Sequence, residues 1–417
     1  MEKFVINGGA KLSGSLRVES AKNAVLPMLA GAILTDEKVI IKNCPKIEDV
    51  LTMIKILARL GVKTQFLGDD LMVDASNING YEIPDELGKE LRSSVFMMGA
   101  LISRFKKAKV SYPGGCKIGA RPINLHLDGL KQMGVNVIEN EEYIECFASD
   151  LKGCKIKLSY PSVGATENLM LSAVLAQGKT ELHGVAKEPE IVDLMQFLNK
   201  MGAKVYGAGT STILIEGVKK LHAVEYKPIA DRIEAGTYLL SAVITGGEIE
   251  VNGCDAKNIY PLIHKLCDNT CKISIKNDII YVKSGRVPKS FDFSTGPYPF
   301  FPTDLQAQTM VLSTISQGVS TIIENVFENR FCHVGELKKM GADISVKGRR
   351  ATVNGVNRLH GAKVFANDLR GGSALVLAGL NAEGVSEIYG VNHIKRGYLN
   401  IDEKLRTLGA NVKLQKE

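Results

Sequence analysis

The sequence predicts an α/β protein of two domains built from six repeats, and three observations carry that prediction. At 417 residues the chain is longer than one hydrophobic core usually grows, so two domains are expected. A short phrase recurs as Arg59-Leu60-Gly61-Val62, Gln132-Met133-Gly134-Val135, Lys200-Met201-Gly202-Ala203, Lys339-Met340-Gly341-Ala342 and Thr407-Leu408-Gly409-Ala410. A helical pattern precedes each copy and a strand-like pattern follows it, so every repeat mixes both periods.

A sixth, degenerate copy spans Lys265 to Ile273, with Thr270 where the glycine stands elsewhere. The markers at 61, 134, 202, 270, 341 and 409 are then 73, 68, 68, 71 and 68 residues apart, and the repeats fill the chain. The marker helix is clearest at Ile191, Leu194, Met195 and Leu198, whose spacing makes one apolar face. Glycine ends that helix because a left-handed residue at a helix C-terminus is cheap only without a Cβ. A strand such as Lys204 to Tyr206 follows. Upstream, Ala173 to Gln177 and Ser241 to Ile244 read as a second apolar helix, each leading to a strand at Thr180 to Leu182 or Glu248 to Val251. Repeats of this size cannot bury both faces alone, so three per domain is the expected grouping. The strand Phe4 to Ile6 precedes the first full repeat and is expected to complete the last. This predicts a continuous domain over 22–229 and a discontinuous one joining 1–21 to 230–417, with a ligand cleft between them.

Composition narrows the function. Apolar content of 45% and charged content of 23% are ordinary for a soluble globular protein. The formal charge of +7 is spread out, with no Trp and no long basic run, which argues against a nucleic-acid binder and for an anionic small-molecule ligand. The eight cysteines show no paired CxxC, as expected in a reducing compartment, and Cys267 and Cys271 lack the second pair of a zinc site, so they read as core. The start MEKFVINGGAKLSGSL lacks the apolar stretch of a signal peptide, and no apolar run is long enough to span a membrane, so a cytoplasmic location is expected.

The segment PGGCKIGARP, Pro113 to Pro122, puts Cys116 on a glycine-rich loop beside Lys117 and Arg121. Such a loop reads as a lid, and nearby cations make a thiol a usable acid or nucleophile. Counting back from each marker, the repeats place Lys22 and Asn23, Arg92, Gly164 in SVGAT, Asp231, Asp304 and Asp368 at matching helix starts, with Arg232 and Arg370 alongside. Capping accounts for acidic members, Asp304 after Pro302-Thr303 included. It does not account for Lys22, Arg92, Arg232 and Arg370, because a cation at the positive end of a helix dipole is unfavourable unless an anion lies between. With Arg121, Arg330 and Arg396, the set suits a phosphorylated carboxylic acid.

Nine segments (SAKNA, LRSS, PGGCKIGARP, PSVGATEN, ADRIEAGT, FPTDLQAQ, VFENRF, NDLRGGSALVLAG and HIKRGY) resemble, in order and over essentially the whole chain, the UDP-N-acetylglucosamine enolpyruvyl transferases. The resemblance implies two domains, each an inside-out α/β barrel of three βαβαββ repeats, with substrates between them. It implies transfer of the enolpyruvyl group of phosphoenolpyruvate to the 3′-hydroxyl of UDP-N-acetylglucosamine, with release of phosphate, as the first committed step of peptidoglycan synthesis. It implies no metal, organic cofactor or nucleic-acid partner. Carried over, Lys22, Arg121 and Arg396 look like the phosphate clamp, and Arg330 and Arg370 look like partners of the phosphoenolpyruvate carboxylate. Asn23 would touch both substrates. Asp304 is the favoured general base, Asp368 a second proton-transfer candidate, and Cys116 the proton donor to the methylene carbon and the site of a covalent adduct. Arg92, Arg121, Pro122, Ile123, Asn124, Leu125, Val163, Gly164 and Val326 correspond to positions that hold the nucleotide sugar.

Three places depart from the family pattern. Gly296 and Phe300 flank the proline turns before Asp304, where Phe300 is expected to crowd the approach. Tyr160-Pro161 replaces a lysine-containing pair, and Gly371-Gly372 is expected to loosen the helix start at Arg370. The shikimate-pathway enolpyruvyl transferase shares the repeats but lacks the cysteine loop, so Cys116 and PSVGATEN decide against it. A paralogue that binds the nucleotide sugar without turnover is the competing reading from another class, and a phosphate-release assay separates the two.

Overall fold

The structure, a computed structural model, describes residues 2–112, 118–119, 122–268, 271–284 and 288–416. The repeat phrase works as a helix stop. Gly61, Gly134, Gly202, Gly341 and Gly409 all have φ between +90° and +96°, the left-handed region that an L side chain avoids. In each copy the residue after the marker donates its N–H back to a leucine carbonyl: Val62 to Leu57, Val135 to Leu130, Ala203 to Leu198, Cys271 to Leu266, Ala342 to Leu337 and Ala410 to Leu405, at 3.0 to 3.3 Å. The degenerate copy therefore keeps the closing bond through Cys271 and Leu266. The leucine four residues before the marker is the invariant that the glycine concealed.

Each repeat also contributes one helix buried nearly all round: α1 Lys22–Gly31, α2 Val95–Phe105, α3 Val163–Ala173, α4 Arg232–Ile244, α5 Gln306–Thr314 and α6 Leu369–Asn381. All thirteen residues of α4 and all nine of α5 are buried, as expected of helices walled in on every side. Close approach needs small residues. A Cβ at Gly236 would lie 2.7 Å from Leu305 Cδ1. A fully buried leucine here, such as Leu240, contributes about 2–3 kcal/mol. The second apolar helix expected at Ala173–Gln177 is the exit turn of α3, which stops at Ala173, whereas Ser241–Ile244 is indeed the end of α4.

The strands form six small sheets, and no closed barrel is found among the described residues. Five sheets repeat one pairing order, a parallel pair followed by two antiparallel neighbours, as in Ser13–Arg17, Glu248–Asn252, Ile279–Lys283 and Lys272–Lys276. In the sixth, Lys107–Ser111, Tyr143–Phe147 and Asn136–Glu139 keep the antiparallel part, and the parallel strand shrinks to one bridge, Glu82 to Lys109. Strand Glu2–Asn7 pairs antiparallel with both Val385–Tyr389 and Asn411–Lys416. The start of the chain thus takes the place that the last hairpin strand holds in the other repeats.

The chain divides into two compact parts: a C-lobe of Met1–Glu19, Lys117–Ala120 and Ala230–Glu417, and an N-lobe of Ser20–Cys116 and Arg121–Ile229. Helices α1, α2 and α3 pack together in the N-lobe, and α4, α5 and α6 in the C-lobe. Each lobe also holds three of the six sheets. Of the two cysteines read as core, Cys271 is buried and Cys267 is exposed, on the outer side of the helix Tyr260–Asp268.

Candidate functional site

In the C-lobe, Asp304 lies in the short turn Thr303–Leu305 that feeds α5. The cap positions at this start fall on Pro302 and Leu305, so Asp304 lies within the first turn and not at the cap position expected for it. Its carboxylate is instead gripped oxygen by oxygen: Arg330 Nη2 donates to Oδ1 at 2.7 Å and Arg370 Nη2 to Oδ2 at 3.0 Å. The arginine side chains are 3% and 4% exposed and the aspartate is 28% exposed, so a partly open carboxylate fronts two buried cations. Burial works most strongly against the Arg370 charge, but Asp304, Tyr398 and Asp231 together outweigh it and raise the guanidinium pKa. Arg330 is also pinned through Nε and Nη2 to the Thr303 carbonyl, both at 3.2 Å.

Sequence reasoning missed Glu324. This fully buried carboxylate accepts from the Thr303 hydroxyl at 3.0 Å and from the Val326 and Phe327 N–H groups at 2.8 and 3.0 Å. It ties the Asp304 turn to the turn carrying Val326 and Arg330. A buried Glu six residues before an Arg, in IIENVFENR, was the available signal.

Asp231 and Asp368 are true caps. Asp231 accepts from the N–H groups of Ile233 and Glu234, and Asp368 Oδ1 from those of Arg370 and Gly371 at 3.0 and 3.1 Å. Asp368 Oδ2 takes the Cys332 thiol at 3.3 Å. Burial pushes the Asp368 carboxyl up, but Arg330, the Gly371 N–H, His333 and the Cys332 thiol together outweigh it and leave the pKa below the ordinary carboxylate value. Burial, then Asp368, push the Cys332 thiol up to about 12, which makes it inert at neutral pH. His333, also buried, has Nδ1 against the Arg330 carbonyl at 3.2 Å, and burial lowers its pKa to about 4.

The glycines after Arg370 tighten this start rather than loosen it. A Cβ on Gly371 would lie 2.6 Å from Asp368 Oδ2 and 2.9 Å from His333 Cβ, and one on Gly372 would lie 2.6 Å from Ile394 Cγ1. Phe300 is 68% exposed, and Gly296 lies directly under it, where a Cβ would be 3.1 Å from the Phe300 Cβ. Arg232 opens α4, 8% exposed, with its guanidinium 5.9 Å from the Tyr298 ring centre. Arg396 is half-buried just after the short helix Val391–Lys395. Val326 is half-buried at its turn.

In the N-lobe, Lys22 is the first residue of α1 and its ammonium meets Asp49 Oδ2 at 3.0 Å. That carboxylate is buried, so the cation at this helix start is neutralised locally. Asn23 is half-buried beside it, and Arg92 is half-buried at the head of the turn Arg92–Ser94 leading to α2. Val163 and Gly164 begin α3, where the Ser162 hydroxyl accepts from the Ala165 N–H at 3.3 Å. Tyr160, before them, is 42% exposed. His126 stands against Gly164, with its Cε1 3.3 Å from where a Cβ would be, and the sequence offered no sign of it. Pro122 and Asn124 are exposed, Leu125 is half-buried and Ile123 is buried. Cys116 and Arg121 lie outside the described residues.

The structure thus assembles Asp304, Arg330, Arg370 and Asp368 in one lobe and couples Lys22 to Asp49 in the other. Among the described residues no group of three His, Cys, Asp or Glu is placed to hold a metal, and no helix is long and apolar enough to cross a membrane.

A family model described as EPSP synthase (3-phosphoshikimate 1-carboxyvinyltransferase) matches residues 6–405. Among curated relatives, UDP-N-acetylglucosamine 1-carboxyvinyltransferase 2 of Caldanaerobacter subterraneus subsp. tengcongensis is 51% identical over 413 residues, covering 99% of each chain. The protein of the same name from Clostridium tetani is 48% identical over 414 residues, again covering 99% of each. Among solved structures, the enolpyruvyl transferase NikO from Streptomyces tendae superposes with a TM-score of 0.89 at 25% identity, covering 100% of this chain and 99% of that one. An EPSP synthase from Acinetobacter baumannii gives 0.77 at 16% identity with both chains fully covered, a likeness of fold alone.

Proposed function

The chain belongs to the EPSP synthase family, among its UDP-N-acetylglucosamine 1-carboxyvinyltransferases, and from that premise we propose that it transfers the enolpyruvyl group of phosphoenolpyruvate to the 3′-hydroxyl of UDP-N-acetylglucosamine. The observation that carries the reading is the partly exposed Asp304 carboxylate backed by the buried Arg330 and Arg370. A guanidinium has five N–H donors, so both arginines can hold Asp304 and still receive the carboxylate of phosphoenolpyruvate. Sharing them loosens their grip on Asp304 and frees it to take the hydroxyl proton of the sugar.

The sugar oxygen then bonds to C2 of phosphoenolpyruvate while the Cys116 thiol gives a proton to C3, forming a tetrahedral ketal. Loss of a proton from C3 and departure of phosphate from C2 restore the double bond in the enolpyruvyl ether. Lys22, Arg121 and Arg396 neutralise the leaving phosphate, and fixed charges of this kind supply most of the stabilisation in such a site. Asn23, Arg92, Pro122, Ile123, Asn124, Leu125 and Val326 contact the nucleotide sugar, and its diphosphate sits at the α3 start by Val163 and Gly164. Asp368, with both oxygens occupied, works as the cap that aims Arg370, and proton transfer is left to Asp304 and Cys116.

The three buried helices and three sheets of each lobe support one inside-out barrel of three repeats per lobe. Both substrates are cytoplasmic metabolites, which supports a cytoplasmic enzyme at the first committed step of peptidoglycan synthesis. Running the reaction in D2O tests the chemistry. A C3 that is protonated and then deprotonated yields an enolpyruvyl ether with deuterium in its methylene group, and a product without deuterium, or no ether at all, overturns the mechanism.

A further inference from the structure

The geometry points to Tyr398 as a positioning residue for this reaction, one that sets the orientation of Asp304 through Arg370. The inference rests on the enolpyruvyl-transfer reading. Tyr398 is 1% exposed and follows Arg396 by two residues. Its hydroxyl meets Thr237 Oγ1 at 2.8 Å, Arg370 Nη1 at 3.3 Å, Gln308 Nε2 at 3.3 Å and Ser373 Oγ at 3.4 Å, gathering α4, α5 and α6 onto one atom.

The direction of each bond follows from the neighbours. Thr237 donates its own hydroxyl proton to the Ile233 carbonyl at 2.8 Å, so at Tyr398 it acts as acceptor. Ser373 likewise spends its proton on the Arg370 carbonyl at 2.9 Å, and it is the more distant of the two. Tyr398 therefore donates to Thr237, and its two lone pairs are left for the N–H groups of Arg370 and Gln308. A phenol locked as acceptor on that side matches a guanidinium, which has only donors.

Arg370 is then held at both ends of its fork, Nη1 on Tyr398 and Nη2 on Asp304 Oδ2, with its carbon 5.7 Å from the Tyr398 ring centre. A planar group fixed at two nitrogens cannot rotate about its long axis, so the far contact fixes the near one. Arg330 holds the other oxygen, and the plane of the Asp304 carboxylate is set before any substrate arrives. Tyr398 touches none of the reacting groups in this account; it acts through Arg370.

Tyr238 supplies the control. It is equally buried, and its hydroxyl has no hydrogen-bond partner among the described residues. The test compares Tyr398→Phe and Tyr238→Phe in steady-state kinetics with both substrates, in pH–rate profiles and in thermal melting. Tyr398→Phe is expected to lower kcat about 10- to 100-fold, the scale of a small misplacement of a catalytic group, with both KM values within about threefold of the parent. The acidic limb of kcat/KM moves to higher pH, because an unanchored Arg370 favours the ionised Asp304 less. Tyr238→Phe keeps the parent kcat and profile. A Tyr398→Phe enzyme with the parent kcat and profile overturns the inference, as does an equal kcat loss in both variants. Should Tyr398→Phe not fold, Thr237→Val, which removes the acceptor for the phenol proton, is expected to shift the same limb, and an unshifted limb overturns the inference. Parent protein that forms no product overturns the enolpyruvyl-transfer reading itself, which separates the two failures.

Discussion

Replacing Asp304 by Asn removes the carboxylate that bonds both Arg330 and Arg370 while keeping the shape of the side chain. Breaking a buried ion pair from one side costs about 3–5 kcal/mol, because a desolvated charge is left behind. Two facts bring the expected value to the lower end: Asp304 is 28% exposed, so water reaches it, and the amide oxygen still accepts one bond. The prediction is a loss of about 3 kcal/mol confined to the C-lobe. With an m-value of about 2–3 kcal/mol per M for a lobe of this size, its urea midpoint falls by about 1 M. Amide exchange of Gln306–Thr314 and Leu369–Asn381 during the titration reports on this lobe alone. The same variant loses the proposed general base, so kcat is expected to fall about 10²- to 10⁴-fold. Added phosphoenolpyruvate is expected to restore more stability to the variant than to the parent, since its carboxylate meets two unneutralised guanidiniums. An unchanged midpoint together with parent kcat refutes both the pairing and the catalytic role.

Three further outcomes follow from other parts of the molecule. The epoxide antibiotic fosfomycin, incubated with UDP-N-acetylglucosamine, is expected to add one drug molecule to the intact mass through Cys116; an unchanged mass, or equal labelling of Cys116→Ser, contradicts that role. Gly372→Ala drives a methyl group to 2.6 Å from Ile394 Cγ1, so overpacking should lower stability by about 1–3 kcal/mol and shift the helix start that carries Arg370; a thermal melt and kcat at the parent values would refute the close packing. His333 has its pKa lowered from 6.5 to about 4 by burial, so only the unfolded chain takes its proton in between; its contribution is whole above about pH 6.5 and is lost as pH falls towards 4, up to about 3 kcal/mol, and His333→Leu should flatten that limb of the urea midpoint against pH.

The repeat was legible because it is written in backbone chemistry. A glycine that must adopt positive φ tolerates little else, and five of six copies retain it. The closing bond to a leucine carbonyl was hidden, because leucine is common and its position relative to Gly61 or Gly134 carries no special chemistry. The completion of the last sheet by Glu2–Asn7 was legible from a strand left over at the start of the chain. At the site, charge at helix starts marked Lys22, Arg92, Asp231, Asp368 and Arg370, yet composition cannot distinguish a cap from an ion-pair partner. Asp304 and Asp368 occupy matching places in their repeats. Only the fold shows that one faces two guanidiniums and the other its own backbone N–H groups. Glu324, His126 and Tyr398 escaped notice because they act on the candidate residues from behind, at sequence distances that follow no motif. The glycines at 371 and 372 were read as freedom, although packing gives them no room for a side chain.

In the proposed reaction this chain joins phosphoenolpyruvate to UDP-N-acetylglucosamine, with Asp304 and Cys116 moving the protons. Phosphate release measured with both substrates, against a Cys116→Ser, Asp304→Ala double variant, tests it most directly. Phosphate is expected to appear only when both substrates are present, and the double variant is expected to release none. Phosphate no higher in the parent than in the double variant would contradict it, and would leave a protein that holds a nucleotide sugar without turning it over.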